Sequence, residues 1–189
     1  MQDLDYSVTY LSNKNVGTAK VVICGKGVYT NSLTKTFTIR PETMASAVIT
    51  GCKAKYSYTG KQVKPLIQVV WNGKILRNNT DYTLLYKNNK KRGSAGIVVT
   101  GKGNYSGTLT ASFTIVRASV KKASVTGLKA VYARTGKAVK PKVTVKLGGK
   151  KLKKKRDYIL SYRKNKKKGT ALLYVKGVGN YSGTKKMKF

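Results

Sequence analysis

The sequence contains no histidine and very few acidic residues, with five Asp and Glu against 40 Lys and Arg among 189 residues. Acid–base catalysis and metal binding usually need histidines, carboxylates or cysteines in clusters. Three of the five acids, Asp5, Asp81 and Asp157, occupy one repeated position, which leaves only Asp3 and Glu42. The composition therefore predicts no catalytic residues, no metal site and no cofactor, and so a protein that is not an enzyme.

Cysteine and long apolar stretches are also scarce. Cys24 and Cys52 are the only cysteines, and neither recurs at the equivalent repeat positions, as a disulfide framework would. We expect two incidental thiols, and whether they pair stays open. No apolar run approaches the ~20 residues that a membrane-spanning helix needs. The first residues lack a signal-peptide apolar core and begin inside a repeat, so we expect a fragment whose export signal lies elsewhere.

The strongest pattern that is present is a repeat with a period of 76 residues. The segment DYSVTY from Asp5 recurs as DYTLLY from Asp81 and as DYILSY from Asp157. Three motifs follow each copy at fixed spacings. Gly-Thr/Ser-Ala begins at Gly17, Gly93 and Gly169, and Gly-x-Gly-x-Tyr begins at Gly25, Gly101 and Gly177. A phenylalanine then follows at Phe37, Phe113 and Phe189. A fixed period without insertions predicts tandem modules. We place the C-terminal half of one module at residues 1–39 and complete modules at residues 40–115 and 116–189.

Alternation of apolar and polar residues predicts β-strands in each module. Tyr82, Leu84 and Tyr86 share one face of a strand, and a second strand follows the triplet at Gly93. A third strand is predicted at residues 63–71 and 139–147, where a proline indicates a strand start or an edge. It ends in Asn72-Gly73 or Gly148-Gly149, which suit type I′ hairpins.

No apolar period of 3.6 residues reaches helical length, so the predicted fold class is all-β, or mostly β. The modules are expected to be small β-sandwiches or β-grasp-like sheets, and the pattern does not choose between them. The repeated Asp is expected to cap a turn through a hydrogen bond. Gly93 and Gly169 are expected at positions of positive φ.

The run DYTLLYKNNKKRGSAGIVVTGKGNYSGTLTASFTI, with YSYTGKQVKP and VYARTGKAVKP, resembles a repeat of large surface proteins of Gram-positive bacteria, particularly gut Firmicutes. The resemblance covers nearly the whole chain. It implies an extracellular, Ig-like or β-grasp-like repeat in an adhesin, a stalk, or the non-catalytic part of a secreted cell-wall enzyme. The high positive charge departs from that expectation and argues against a neutral spacer role for the last module.

Positive charge rises along the chain, from +2 in residues 1–37 to +10 in residues 38–113 and +23 in residues 114–189. Such a gradient predicts an anionic partner for the last module. The candidate polyanion-binding residues precede or follow its Asp-Tyr strand or alternate along another strand; they are Lys140, Lys142, Lys146, Lys150, Lys151, Lys153, Lys154, Lys155, Arg156, Arg163, Lys164, Lys166, Lys167 and Lys168. A six-residue strand is roughly 20 Å long, so the two main clusters start at opposite ends of the strand and suit a linear polyanion.

The sequence thus predicts a non-catalytic extracellular repeat region of a bacterial surface or secreted protein. It would act as a spacer and, through its basic module, attach to anionic polysaccharide or teichoic acid. A purely structural stalk and the targeting region of a cell-wall hydrolase are the alternatives. Nucleic acid is expected to bind only non-specifically, because no recognition helix or aromatic RNA-binding motif is present and Lys outnumbers Arg. The oligomeric state stays open.

Overall fold

The computed structural model describes residues 1–189 and is all-β, with 51% of the residues in strands and no α-helix. The predicted fold class is confirmed at this level. One 3₁₀ turn, Val120–Lys122, is present. No helix has the length and apolarity to cross a membrane.

The strands run, in chain order, β1 Tyr6–Leu11, β2 Gly17–Gly25, β3 Ser32–Ile39, β4 Glu42–Thr43, β5 Val48–Thr50, β6 Lys55–Ser57, β7 Gln68–Trp71, β8 Lys74–Leu76, β9 Tyr82–Lys87, β10 Gly93–Gly101, β11 Tyr105–Ser106, β12 Thr108–Val116, β13 Ala118–Ser119, β14 Ser124–Thr126, β15 Thr144–Leu147, β16 Lys150–Lys151, β17 Tyr158–Arg163, β18 Leu172–Gly177, β19 Tyr181–Ser182 and β20 Thr184–Lys188. They form three-stranded sheets in the orders β1-β2-β3, β5-β7-β8, β14-β15-β16 and β17-β18-β20. The four-stranded sheet has the order β6-β12-β10-β9, and β4 pairs with β11 as β13 pairs with β19.

The chain divides into two compact units. The first unit comprises residues 1–52, 66–87 and 96–111, and the second comprises residues 53–65, 88–95 and 112–189. These units do not follow the module boundaries predicted at residues 40 and 116, which stay a prediction.

Residues 76 positions apart make equivalent pairings in the two units. In the first unit β4 and β11 are parallel, with Glu42 opposite Tyr105. In the second unit β13 and β19 are parallel, with Ala118 opposite Tyr181. The antiparallel pair β9–β10 likewise has the register of β17–β18, because Tyr82 faces Gly101 as Tyr158 faces Gly177.

The alternation predicted for the Asp-Tyr segment is confirmed in β9 and β17. Tyr82 and Tyr158 are buried, and the following residues alternate between half-buried and exposed along each strand. Burial of one face is what holds the register of such strands, because a one-residue slip would turn every apolar side chain to solvent.

The third predicted strand is shorter than expected, since only Gln68–Trp71 and Thr144–Leu147 pair in ladders. Residues 63–67 and 139–143 lie outside any strand, although their side chains still alternate between exposed and less exposed. The N–H of Val63 donates to the carbonyl of Asn89 at 2.7 Å, and the Asn89 amide donates back to the Val63 carbonyl at 3.0 Å. The backbone groups of Val63 are therefore hydrogen-bonded to Asn89, a loop residue, and not to a neighbouring strand as predicted.

The hairpin turns at the end of this strand have the predicted geometry. Asn72 and Gly73 have φ of 46° and 75°, and Gly148 and Gly149 have φ of 54° and 76°. A type I′ turn needs positive φ at both central residues, so the type I′ prediction is confirmed at both sites.

The core of the second unit lies beneath β15, β17 and β18. Val145, Leu173 and Val175 are fully buried there, and Tyr58 and Tyr162 pack against the same cluster. In the first unit Met44, Val69 and Val99 are fully buried. A fully buried aliphatic side chain of this kind contributes about 1.5–3 kcal/mol through the apolar surface removed from water.

Candidate polyanion-binding surface

All fourteen basic residues singled out in the sequence are exposed. Lys146 in β15 lies directly opposite Lys151 in β16, so these two cations share one face of the hairpin. Lys140 and Lys142 precede β15 on a segment that is not a strand, and they are exposed while Pro141 between them is buried. The predicted outward alternation holds, but the ladder expected beneath Lys140 and Lys142 is absent.

The structure keeps the two main clusters apart. Residues 153–156 lie in the turn before β17, whereas residues 164–168 lie in the loop that follows it. Arg163 is the last residue of β17. The basic surface is therefore extended along the six-residue strand and does not converge on one pocket.

The only acidic residue of residues 114–189, Asp157, is buried between these clusters. Its carboxylate accepts the N–H of Lys153 at 2.8 Å and two hydrogen bonds from the Arg156 guanidinium, both 2.9 Å long. These bonds with Arg156, followed by the Lys153 N–H, hold the pKa of Asp157 below its usual range. The predicted capping role of the repeated Asp is thus seen here, and also at Asp81, which accepts the N–H of Arg77 at 2.8 Å.

Three of the predicted residues, Arg156, Lys150 and Arg163, are engaged within the protein. Arg156 is paired with Asp157, as described, and the Lys150 ammonium lies 5.9 Å from the ring centroid of Tyr58. Tyr58 in turn makes an edge-on contact with Tyr181, with ring centroids 5.9 Å apart. The Arg163 guanidinium lies 5.6 Å from the ring centroid of Tyr174, and the other eleven predicted residues are exposed cations.

Two lysines of the set have left-handed backbone conformations. Lys155 has φ of 69° and Lys164 has φ of 54°. The residues 76 positions earlier, Asn79 and Asn88, have φ of 68° and 54°. Asparagine tolerates this region far better than other residues with a β-carbon. Positive charge therefore stands at two positions where the backbone favours asparagine.

Several exposed cations of the last 76 residues are not among the fourteen predicted ones. Arg134 and Lys137 lie in the loop before β15, and Lys176, Lys186 and Lys188 lie on β18 and β20. The strand alternation that identified Lys140, Lys142 and Lys146 could have identified the last three as well, because they also alternate with buried or half-buried neighbours. Lys185 is different, since its ammonium donates to the Ala123 carbonyl at 2.6 Å.

A cleft of about 760 Å³ opens between the loops of residues 130–139 and 164–171. Tyr132 and Phe189 line it and contact each other edge-on, with centroids 5.6 Å apart. Lysines of both loops, among them Lys137 and Lys166, also line it.

The position of this cleft is explained by a difference in strand pairing between the two copies. Residues 131–133 lie outside any strand, whereas Lys55–Ser57, 76 positions earlier, pair in parallel with Thr114–Val116. The cleft thus lies where an added strand pairs in the preceding copy. We therefore base no ligand site on its apolar floor and assign the candidate surface to the exposed cations.

The remaining reactive groups do not gather into a site. Cys24 is exposed and Cys52 is half-buried, and burial raises the pKa of the Cys52 thiol. Burial also raises the pKa of Tyr158 and Tyr162, and the Tyr162 hydroxyl donates to the Pro141 carbonyl at 2.7 Å. These tyrosines belong to the packed scaffold.

Comparison with known proteins adds no family. No protein-family model matches the chain, and no curated protein or solved structure matches it significantly.

Proposed function

We propose that this chain is a non-catalytic, tandem β-repeat region of a bacterial surface or secreted protein that attaches to anionic polymers through residues 116–189. Anionic polysaccharide and teichoic acid are the partners that suit it. The observation that carries the proposal is the solvent exposure of all fourteen predicted cations, while the only acidic side chain of residues 114–189 is buried and paired with Arg156. Positive charge is thus concentrated at the surface with no compensating acidic side chain.

The tandem arrangement is supported by the equivalent pairings at a spacing of 76 residues. Strand pairs recur with the same registers, and the turns capped by Asp81 and Asp157 recur as well. The residues with left-handed backbones also recur with nearly the same φ. Such repetition is typical of arrays in which each module contacts its neighbours. The extracellular location rests on the sequence resemblance alone.

A purely structural stalk is the second candidate, and one set of contacts favours it. In the first unit the N–H of Val16 donates to Asn104 at 2.8 Å, and Asn104 donates to Asn15 at 2.8 Å. In the second unit Arg92 donates to the Gly179 carbonyl at 3.1 Å. Arg92 lies 76 positions after Val16, and Gly179 adjoins Asn180, the equivalent of Asn104, so in both places a loop of one copy contacts the Gly-x-Gly-x-Tyr turn of the next.

Binding of the full chain to immobilised heparin and to purified teichoic acid tests the proposal. We expect binding at low salt and its loss as salt rises, because exposed charges are screened over about 10 Å at 0.1 M ionic strength. Replacing Lys153, Lys154, Lys166 and Lys167 with Gln is expected to weaken binding on the order of tenfold, since diffuse surface contacts each contribute a few tenths of a kcal/mol.

The matched control removes the same charge from the first unit. Gln in place of Lys14, Lys20, Lys26 and Lys35, all exposed, is expected to weaken binding much less. Equal weakening by the two quadruple variants would leave only non-specific attraction to net charge. Absence of binding to either polymer at low salt would favour the stalk.

A further inference from the structure

On the outer face of the sheet β17-β18-β20, Tyr174 is surrounded by basic side chains. Leu173 and Val175 of β18 are fully buried in the core, so Tyr174 between them lies on the opposite face, where it is half-buried. Tyr174 is one of the two tyrosines that do not recur with the 76-residue period, the other being Tyr58. Tyr58 is accounted for by its contacts with Tyr181 and Lys150, whereas Tyr174 faces outward.

Four cations share this outer face, and we call them together with Tyr174 the Tyr174 patch: Arg163, Lys176, Lys186 and Lys188. Lys186 is the direct cross-strand partner of Tyr174, and Lys176 lies two residues along β18. Lys188 and Arg163 both pair with Leu172, from the two neighbouring strands. Neighbouring strands are ~4.8 Å apart and alternate residues ~6.8 Å, so all four cations begin within about 10 Å of Tyr174.

The patch is partly organised within the protein. The Arg163 guanidinium lies 5.6 Å from the centroid of the Tyr174 ring, which orients both side chains. No acidic side chain of residues 114–189 faces the patch, because Asp157 is the only one and is buried and paired with Arg156. Like charges this close on one sheet face are unfavourable for folding, so an anionic ligand would relieve their repulsion.

The same sheet face 76 positions earlier shows that the scaffold does not require these residues. Val98 stands in place of Tyr174, and uncharged residues stand in place of the three lysines: Thr100, Thr110 and Ser112. Only Lys87, in place of Arg163, is basic. The register of β9 and β10 is equivalent to that of β17 and β18, so Tyr174 and Lys176 replace Val98 and Thr100 on an equivalently paired strand.

We infer that the Tyr174 patch binds an acidic sugar residue of a linear polysaccharide, the sugar ring packing on Tyr174 and its carboxylate or sulfate groups pairing with the surrounding cations. This inference rests on the proposed function and adds the class of polymer. A polyphosphate chain offers anions but no ring for the tyrosine. Surfaces that bind single-stranded nucleic acid stack successive bases on several aromatics, and this face has one.

The experiment measures binding of the full chain to a heparin hexasaccharide, to inorganic polyphosphate and to oligo(dT) at low salt. Tyr174→Val, which copies the residue found 76 positions earlier and keeps every charge, is expected to weaken hexasaccharide binding about fivefold, the order of an aromatic contact. Polyphosphate binding is expected to stay unchanged. The triple variant Lys176→Thr, Lys186→Thr, Lys188→Ser, which also copies the earlier residues, is expected to weaken both.

The outcomes separate this inference from the proposed function. Wild-type protein that binds none of the three probes overturns both. Wild-type protein that binds, with Tyr174→Val binding the hexasaccharide equally well, overturns the Tyr174 patch alone. An equal loss for oligo(dT) overturns the saccharide class.

A reciprocal graft protects the test from a folding defect. Val98→Tyr, Thr100→Lys, Thr110→Lys and Ser112→Lys, introduced into the Tyr174→Val chain, recreate the patch on β10 and β12 beside Lys87. Recovery of hexasaccharide affinity supports the assignment. A graft with a wild-type circular dichroism spectrum but no recovery contradicts it.

Discussion

Asp157 shows why a carboxylate persists in the most basic part of the chain. Its oxygen atoms accept the Lys153 N–H and both arms of the Arg156 guanidinium, so the side chain closes the turn that leads into β17. Asp81 closes the equivalent turn before β9 by accepting the N–H of Arg77. A buried backbone N–H without an acceptor is costly, which gives the repeated Asp a structural reason to be there.

Asp157→Ala is therefore expected to lower the free energy of unfolding by about 1.5–3 kcal/mol near pH 7, the range for hydrogen bonds to a charged group. Because the folded-state pKa of Asp157 is depressed, its contribution is present above the unfolded pKa of about 3.9 and is lost as the pH falls through the folded value. Urea denaturation followed by circular dichroism at pH 7 and below pH 4 should show the two proteins converging at low pH.

Asp5 provides the control for this prediction. It occupies the same repeat position, but its side chain is 50% exposed and pairs with the N-terminal ammonium. Asp5→Ala is expected to change stability by no more than about 0.5 kcal/mol, as exposed substitutions usually do. Equal costs for the two alanine variants would contradict the capping explanation.

At the scale of the element, the two glycines of each Gly-x-Gly-x-Tyr turn meet different requirements. The second glycines, Gly103 and Gly179, have φ of 65° and 61°, a region that favours glycine. The first glycine, Gly101, needs room, because a β-carbon there would lie 2.8 Å from the backbone of Ser106. The first glycine of the motif is thus required by the close approach of two backbone segments, and the second by its positive φ.

Gly101→Ala is expected to destabilise the first unit by about 1–3 kcal/mol, the usual cost of forcing an extra carbon into a packed site. Gly96 in the same strand is the matched control, since its β-carbon would meet nothing closer than 3.9 Å. Gly96→Ala is expected to be neutral or slightly stabilising. Thermal unfolding of both variants checks the difference, and similar melting temperatures would argue against the close approach.

The strands and turns could be predicted where the local pattern determines the structure. The alternation around Tyr82 was sufficient to predict a strand, and Asn72-Gly73 was sufficient to predict a hairpin turn. Burial of one strand face and positive φ in a turn both depend on residues adjacent in the sequence. The length of the third strand could not be predicted in this way. Its first half is held by Asn89, 26 residues away from Val63, and such a long-range side-chain contact leaves no local pattern.

For the whole molecule, the formal charge of +35 means that the folded chain repels itself. The rise in charge along the sequence was sufficient to predict an exposed basic surface. The Tyr174 patch could not be predicted with the same ease, because its residues come from three strands and only the sheet register brings them together. Nor does the sequence distinguish the cations that face solvent from Arg156, whose pairing depends on the buried carboxylate.

Lys155 and Lys164, which have left-handed backbone conformations, are expected to affect both the charge and the stability of the protein. Lys155 and Lys164 occupy positions where the preceding copy has Asn79 and Asn88 at nearly the same φ. We expect Lys155→Asn with Lys164→Asn to raise the free energy of unfolding by about 1 kcal/mol, from relief of backbone strain and of charge repulsion. The same variant should elute from immobilised heparin at lower salt. A variant that gains stability without losing retention would exclude these two lysines from the binding surface.

The last copy would then embody a trade-off between folding and attachment. Each of these lysines would add a charge for the proposed polyanion at a position where an uncharged amide fits the backbone better. A bound anionic polymer would neutralise that charge, so the most basic part of the chain should resist unfolding best when it is attached.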